Sequence, residues 1–386
     1  MVINKKIGRS TFCSMCLLIT ILMETAFENT PLRNYNLTYG RVAFLIEAIL
    51  FIGILVLGNY TNKRFFFMFG VLLLFLSSYM ILNSTFLFRM FMIAVAISVI
   101  GMSRSFEIIF KFKIIIICFV ITLSLIGVIP IYYTQIEKGI GTSYGYGLGF
   151  THPNRLASAI CYTILCYVCW KYEKLKMKNI IIICFTTLLT YCITKSRTIL
   201  CCVSIFIILY FLSRVKLTKH ITERLVKAFG VITVPLNIMI SMVLPYILLR
   251  STGFVQKLAY LINQLFSRRF THIEHMFLSY PISWIGGQYD TKVMEELFGY
   301  AVIDNGYITF LYQYGIIGLA IFCIFSVICV IRLIKSRKNI WVVVFIVMAA
   351  EGLLENVYTS IGLNLLVVFW AYIFSDLNSI RGKKAK

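Results

Sequence analysis

Charge is scarce in this chain, and negative charge is scarcest. Charged residues make up 13% of its 386 positions, with Asp+Glu 15 against Lys+Arg 37. Soluble domains carry about 25% charged and about 45–50% apolar residues, whereas this chain is 60% hydrophobic with a mean hydropathy of +0.88. That balance excludes an ordinary soluble domain. A formal net charge of +22 is the usual footprint of phosphate binding. Nucleic-acid recognition also needs a soluble, patterned basic surface, and almost none is present, so no nucleic-acid partner is expected. The chain further lacks a convincing internal repeat, a low-complexity segment and a separable soluble domain.

What is abundant is uninterrupted apolar sequence. Runs such as 180–193 and 316–331 are too long and too frequent for one soluble core. A membrane-crossing helix needs roughly 20 mostly apolar residues. Set against charged breaks, this criterion gives about twelve spans, near 11–27, 42–60, 65–82, 86–102, 114–133, 153–170, 179–194, 198–213, 228–248, 306–331, 340–355 and 361–377. The expected fold is all-α: a polytopic integral membrane protein forming a single transmembrane domain over 1–386. Basic residues and an apolar run open the chain, but Glu24 and Glu28 follow in place of a small-x-small cleavage pattern, so an uncleaved first span is expected.

Lys and Arg prefer the cytoplasmic side. Twenty-five of the 37 basic residues fall on one set of alternate loops. They include Arg104, Lys111 and Lys113, Arg214 to Lys227, and Arg381, Lys383, Lys384 and Lys386. Both termini are therefore expected in the cytoplasm. Three acids on the same loops, Glu107, Glu173 and Glu223, reduce that excess to the net charge itself. The net charge thus reports topology. Twelve cysteines invite a metal or disulfide reading, and Cys13/Cys16 and Cys166/Cys169 have CxxC spacing. All twelve fall in expected spans, where cysteine serves as a small buried apolar residue, so no disulfide framework is visible.

Three loops exceed a short connector: 134–152 and 249–305 on the outer side, and 214–227 on the inner side. Loops beyond about 12–15 residues are usually functional or disordered. In 249–305, Phe254, Leu258, Leu261, Ile262, Leu265 and Phe266 recur at helical spacing, which predicts an amphipathic helix at the membrane surface. If that helix continues, Arg268, His272 and His275 share one face.

The outer side holds basic residues that topology alone disfavours, among them Arg33, Arg89, Arg155, Arg197, Arg268 and Arg269. Three of the four histidines (His152, His272 and His275) join them. Arg197 lies in the polar joint Thr194-Lys195-Ser196-Arg197-Thr198. It either snorkels to lipid headgroups or offers its forked donors to a phosphate; Arg268 and Arg269 carry the same two readings against that of a solvated helix face. Glu47 lies inside a span, and Glu24/Glu28 and Glu351/Glu355 are i,i+4 pairs near outer helix ends. Buried acids of this kind face either a basic partner or a polar cavity. Glycines at 141, 145, 147 and 149 allow close backbone approach, but no strand is expected before them and no Walker lysine follows, which argues against a nucleotide loop. His152-Pro153-Asn154 reads as a helix entry with Pro in the first turn, where a helix N-terminus and Arg155 would favour an anion.

The Gly-Phe-Thr-His-Pro-Asn entry at 149–154 resembles bacterial oligosaccharide repeat-unit polymerases, the Wzy type of O-antigen and capsule assembly in the O-antigen ligase-like superfamily. Ser196-Arg197-Thr198, the arginine-bearing segment running to Tyr280-Pro281-Ile282 and Gly286-Gly287, Asp304-Asn305-Gly306-Tyr307 before Tyr314-Gly315, and Glu355-Asn356 with Asn364 follow in the same order. Related ligases carry a histidine near the re-entry point where this chain has Asp304, which favours polymerase over ligase. The resemblance implies joining of undecaprenyl-pyrophosphate-linked oligosaccharides on the outer face of the bacterial cytoplasmic membrane. Membrane lipids, a flippase and a chain-length regulator would be its partners. On that reading Arg197, Arg268 and Arg269, backed by His152, Asn154 and Arg155, hold the pyrophosphate. Asp304, or else His272 or His275, is the base, and Glu355 orients the acceptor or pairs with an arginine. Neither a metal nor a cofactor is expected. The competing readings are a ligase-type transferase and a lipid-linked oligosaccharide transporter.

Overall fold

Aliphatic and aromatic residues fill the apolar runs without strand-like alternation, and the chain answers with helices. A computed structural model describes residues 2–35, 37–58, 60–137, 142–215, 218–287, 291–299 and 303–375. Its helices are α1 (Val2–Glu24), α2 (Leu37–Leu57), α3 (Asn62–Leu82), α4 (Phe86–Ile100), α5 (Met102–Leu125), α6 (Pro153–Lys171), α7 (Met177–Thr194) and α8 (Arg197–Leu212). They continue with α9 (Lys219–Arg250), α10 (Gly253–Leu265), α11 (Arg269–Ser279), α12 (Thr291–Phe298), α13 (Gly306–Lys335), α14 (Asn339–Leu354) and α15 (Leu365–Phe374). A 3-10 turn, Pro31–Tyr35, precedes α2. Gly141, Lys216 and the C-terminal Arg381, Lys383, Lys384 and Lys386 lie outside the described residues, as do 288–290 and 300–302 of the long late segment.

Each expected span meets a helix. Among the described residues, six segments are long and apolar enough to cross a membrane: Gly40–Leu57, Asn62–Leu82, Met102–Leu125, Met177–Thr194, Lys219–Arg250 and Gly306–Lys335. Packing runs from inside outward. In α4 the residues from Phe86 to Ile97 are buried, and so is all of α15. Helices at the periphery instead expose large apolar side chains, such as Ile52 and Val56 on α2, Phe66 on α3 and Phe185 on α7. Water would penalise such a surface, whereas lipid solvates it.

Several sequence expectations are corrected. The span placed at 114–133 is helical from Met102 to Leu125, because Gly101, at φ 93°, ends α4 and lets α5 begin at once. Arg104, Lys111 and Lys113 are therefore helical. Lys113 is not an inner-loop residue at all: it is buried, and its Nζ donates to the Gly362 carbonyl at 2.7 Å. The 214–227 loop is mostly the first turns of α9. A strand does enter the 134–152 loop, since β1 (Tyr133–Glu137) pairs antiparallel with β2 (Thr142–Tyr146), so among the described residues the fold is helical with one pair of strands. The 361–377 span is helical only from Leu365 to Phe374 among the described residues, after a buried irregular stretch through Asn356 and Ser360.

The helix expected to continue through Arg268 instead breaks. Ser267 and Arg268 both adopt positive φ, 56° and 60°, and α11 begins at Arg269. Buried Asn263 clamps the turn. Its Oδ1 accepts from Phe270 N at 3.0 Å, its Nδ2 donates to Thr271 Oγ1 at 2.7 Å, and its carbonyl accepts from Arg268 N at 2.8 Å. Arg268 thus leaves the face carrying His272 and His275. The expected apolar stripe is present on α10, with Phe254 79% and Leu265 81% exposed, so it turns away from the protein.

A second break lies inside α13. Gly315 has φ 72° and ψ −178°, a conformation essentially reserved for glycine. The strand-like segment 283–287 fills the gap. Ile316 N donates to Ser283 O and Ile317 N to Trp284 O, both at 3.1 Å, and Gly287 N donates to Tyr312 O at 3.0 Å. Gly286, at φ 97°, packs directly on Gly315, and a Cβ on Gly315 would strike Gly286 N and Trp284 O. Gly315→Ala is expected to cost about 1–3 kcal/mol from backbone strain alone, with the clash in addition. The melting temperature of the detergent-solubilised variant should fall by several degrees, while Gly70→Ala, on open α3, should leave it near wild type.

Candidate functional site

The start of α6, the start of α8, the start of α11, the start of α13 and the end of α14 gather around one carboxylate. Glu355 closes α14 and is 5% exposed. Its Oε1 accepts from Arg269 Nη2 at 2.8 Å, Thr198 Oγ1 at 2.8 Å and Asn154 Nδ2 at 3.1 Å. A buried acid needs this many donors, because desolvation of the ion is otherwise prohibitive.

Local sequence explains each placement. His152 caps α6, with Nδ1 accepting from Asn154 N at 3.1 Å and Pro153 in the first turn, as the helix-entry reading anticipated. With Nδ1 accepting, the proton sits on Nε2, which faces Thr134 Oγ1 at 3.3 Å. Desolvation, reinforced by Arg155 and Arg269 and opposed by Glu355, holds the His152 pKa below its usual value. Asn154 is then directed to Glu355, and Arg155 Nη1 donates to Asn356 O at 2.7 Å.

Arg269 is brought in by the Asn263-clamped turn. Its Nη2 also lies 3.7 Å from Asp304 Oδ2, beyond a hydrogen bond but close enough for strong attraction. Burial opposes its charge, yet Glu355 and Asp304 outweigh burial and raise the Arg269 pKa above the ordinary value. Its other terminal nitrogen, Nη1, is buried with no hydrogen-bond partner among the described residues. One arm of the guanidinium is thus fastened to Glu355 while the other is uncommitted. Asp304 differs from Glu355 in being 36% exposed at its side chain. Its neighbour Asn305 caps α13 through Oδ1 to Ile308 N at 3.0 Å and is held by Nδ2 to Ser241 Oγ at 2.9 Å. Gly306 lets the chain pass Tyr358, whose ring a Cβ would approach to 2.8 Å.

The expected site residues divide. His152, Asn154, Arg155, Arg269, Asp304 and Glu355 converge. His272 stands one turn from Arg269; burial, with His275 and Arg269 nearby, pushes its pKa down to about 4. His275 stacks on Phe298 with centroids 4.3 Å apart. Arg268 is exposed and turned away. Arg197 is exposed at the first turn of α8 and makes no ion pair among the described residues. Its neighbour Thr198 makes the contact to Glu355; the sequence held the signal, a hydroxyl in the same polar joint, but arginine drew the attention. The acids expected to pair or line a cavity also separate. Glu24 and Glu47 clasp Arg89 at 2.9 and 2.8 Å, and Glu28 accepts from Ser360 Oγ at 2.6 Å. Glu351 sits one turn below Glu355, and a ligand atom from each of Glu351, Cys161 and Cys202 lies within 4.8 Å of the others. This is the described group with metal-ligand chemistry, closed and three-membered.

A helical bundle with six membrane-competent helices and lipid-soluble outer faces defines a multi-pass membrane protein. Comparisons with protein-family models, curated proteins and solved structures return no match.

Removing one partner of a buried ion pair costs about 3–5 kcal/mol. Glu355→Gln is therefore expected to destabilise strongly, and pairing it with Arg269→Met should recover much of the loss in a thermal double-mutant cycle. The depressed His272 pKa has a pH consequence. Unfolded histidine takes up a proton near pH 6.5, whereas folded His272 resists until about 4. Stability should accordingly fall as pH drops from 6.5 towards 4, and His272→Gln should flatten that slope in melting curves.

Proposed function

We propose that the chain polymerises undecaprenyl-pyrophosphate-linked oligosaccharide repeat units into O-antigen or capsular polysaccharide, on the outer face of the bacterial cytoplasmic membrane. One observation carries this reading. Four segments of the ordered resemblance, the entry at 152–155, the joint at 196–198, Arg269 and Glu355-Asn356, meet through hydrogen bonds at a single carboxylate. Asp304 approaches from a fifth.

The chemistry divides among these groups. The acceptor hydroxyl oxygen attacks the anomeric carbon of the donor chain, and the bond from that carbon to the pyrophosphate oxygen breaks. Undecaprenyl pyrophosphate leaves with the electron pair, and the hydroxyl proton passes to Asp304. Charge grows on the leaving group, so a preorganised cation there lowers the barrier. Arg269 supplies it through Nη1, the arm that Glu355 does not occupy, and Arg197 lies exposed beside Thr198 to take a second phosphate oxygen. Glu355 acts as the anchor that fixes Arg269. Its Oε1 already accepts three donors, which suits it to positioning better than to proton transfer. Asp304, partly exposed and free of a close hydrogen bond to Arg269, is the group suited to meet a hydroxyl.

A lipid-linked oligosaccharide transporter is the second reading, and the interrupted α13 favours it, because broken helices build the binding sites of transporters. The deciding assay gives purified protein in lipid nanodiscs defined lipid-pyrophosphate repeat units and follows chain length. A ladder of polymer is expected. Asp304→Asn should slow its growth by about 10²–10⁴-fold, and Arg197→Ala should leave single units unextended. The absence of any ladder in nanodiscs, together with substrate movement across the bilayer when the same protein is placed in closed vesicles, would sink the polymerase. A normal ladder from stably expressed Asp304→Asn would pass the base role to His272 or His275.

A further inference from the structure

Far from Glu355 along the chain, the break in α13 walls a second chamber. Non-helical backbone at membrane depth survives only when buried in protein or lining a polar cavity. Ser283, Ile285, Gly286 and Gly287 do the latter: with Arg33, Ser84 and the α13 residues Gln313 and Tyr314 just before the break, they line a cavity of about 940 Å³, within the range of ligand pockets, about 300–1,000 Å³. Arg33 is the charged residue of that lining among the described residues.

A neighbouring cavity of about 610 Å³ shares Arg33, Ser84 and Tyr314 with the first. It adds Arg89 and Glu24, which pair with each other, and Glu28, whose carboxylate is hydrogen-bonded to neutral donors. Arg89 is held between Glu24 and Glu47, and Glu28 accepts from Ser360 and from Gly362 N. The N-terminus of α4 opens there too, through Ser84, Thr85 and Phe86. Arg33 makes no ion pair among the described residues. The formal charges lining the second cavity balance, Glu24 and Glu28 against Arg33 and Arg89, whereas the first has Arg33 and no acid in its lining among the described residues, so the positive end is the larger cavity.

An apolar groove leads from this chamber to the outside of the bundle, between α3 and α13. It shares Ile81, Ile285 and Tyr314 with the chamber and runs past Leu74 and Phe75 to Ile317. Leu74, Ile81 and Ile317 are 41%, 61% and 48% exposed, so its lip stands on the surface that a bilayer covers. A groove wet at one end, cationic there and apolar along its length, matches a lipid with an anionic head and a single chain.

We propose that the α3–α13 groove binds the chain of a polyprenyl phosphate or pyrophosphate lipid, with its phosphate in the Arg33 chamber. This rests on the polymerase reading for the choice of polyprenyl over other anionic lipids, and it gives one lipid-linked substrate a lateral entrance distinct from the Arg269–Glu355 cluster. The irregular stretch after Glu355 joins the two places: Asn356 takes Arg155 on the Glu355 side, while Thr359 and Ile361 line the chamber.

The test is photolabelling of the full chain in phosphatidylcholine nanodiscs with a diazirine-bearing decaprenyl phosphate, followed by peptide mapping. Label is expected on α3 and α13. It should drop at least tenfold in Arg33→Gln, return in Arg33→Lys, and drop in Ser78→Trp, which fills the groove. Arg33 is exposed, so its variants report binding without disturbing the core. Excess phosphatidylglycerol should compete poorly. Labelling elsewhere, unchanged labelling in Arg33→Gln, or equal competition by phosphatidylglycerol each overturns the proposal. The readout is binding alone. A protein that labels here yet transfers no sugar sinks the polymerase and leaves the groove standing; transfer with label elsewhere does the reverse.

Discussion

A buried carboxylate cannot stand alone in a low-dielectric bundle, and Glu355 organises the structure around that constraint. Its ion is offset by a guanidinium, a hydroxyl and a side-chain amide drawn from segments 86, 157 and 201 residues away. Each donor has to be delivered by a helix end, because only there does the backbone leave its own hydrogen bonds and bring a side chain across. The histidine cap of α6, the polar joint that opens α8 and the two-residue left-handed turn before α11 are those deliveries. The cluster is therefore a product of terminations, and the helices between them serve as spacers that hold the ends at one level.

The same physics shapes the non-helical stretches. Residues 283–287, the break at Gly315 and the segment from Glu355 to Asn364 all carry backbone groups that lipid cannot satisfy. Each finds partners within the protein: Ile316 and Ile317 N–H on 283–284 carbonyls, Asn364 Nδ2 on Tyr358 O at 3.1 Å, and Lys113 Nζ on Gly362 O. Where such backbone remains open on one side, a polar cavity lies against it. The two candidate binding regions are thus explained by one rule about membranes.

Much of the frame was legible in the sequence. Apolar length gave the helices, and the His152-Pro153-Asn154 entry, the Asp304-Asn305-Gly306 re-entry and the α10 stripe stand where the pattern put them. The site was legible in part. Composition cannot distinguish Arg268 from Arg269, since the separation depends on the positive φ of Ser267 and Arg268, which Asn263 imposes from a preceding helix. Thr198 was overlooked because a hydroxyl beside an arginine carries little signal until its partner, 157 residues on, is known. Lys113 looked like a loop charge because basic residues conventionally mark helix ends; its lysine stem instead reaches a carbonyl in the buried stretch after α14. The hairpin at 133–146 escaped because glycine-rich sequence weakens strand signals. For Thr198 and Lys113 the missing information was a long-range contact; for Arg268 and the hairpin it was local geometry that composition does not encode.

The mutual packing of Gly286 and Gly315 also sets an order of events. Synthesis runs from the N-terminus, so residues 283–287 emerge before the helix they complete. Until Gly315 and the two residues after it are made, the Ser283 and Trp284 carbonyls lack the amides they accept from, although α10 and α11 already have α9 to pack against. Once α13 is inserted, its exposed amides can capture the waiting segment, and the long loop is locked by a helix translated after it. The wall of the Arg33 chamber closes only when α13 is in place, and Thr359 and Ile361 complete it later still.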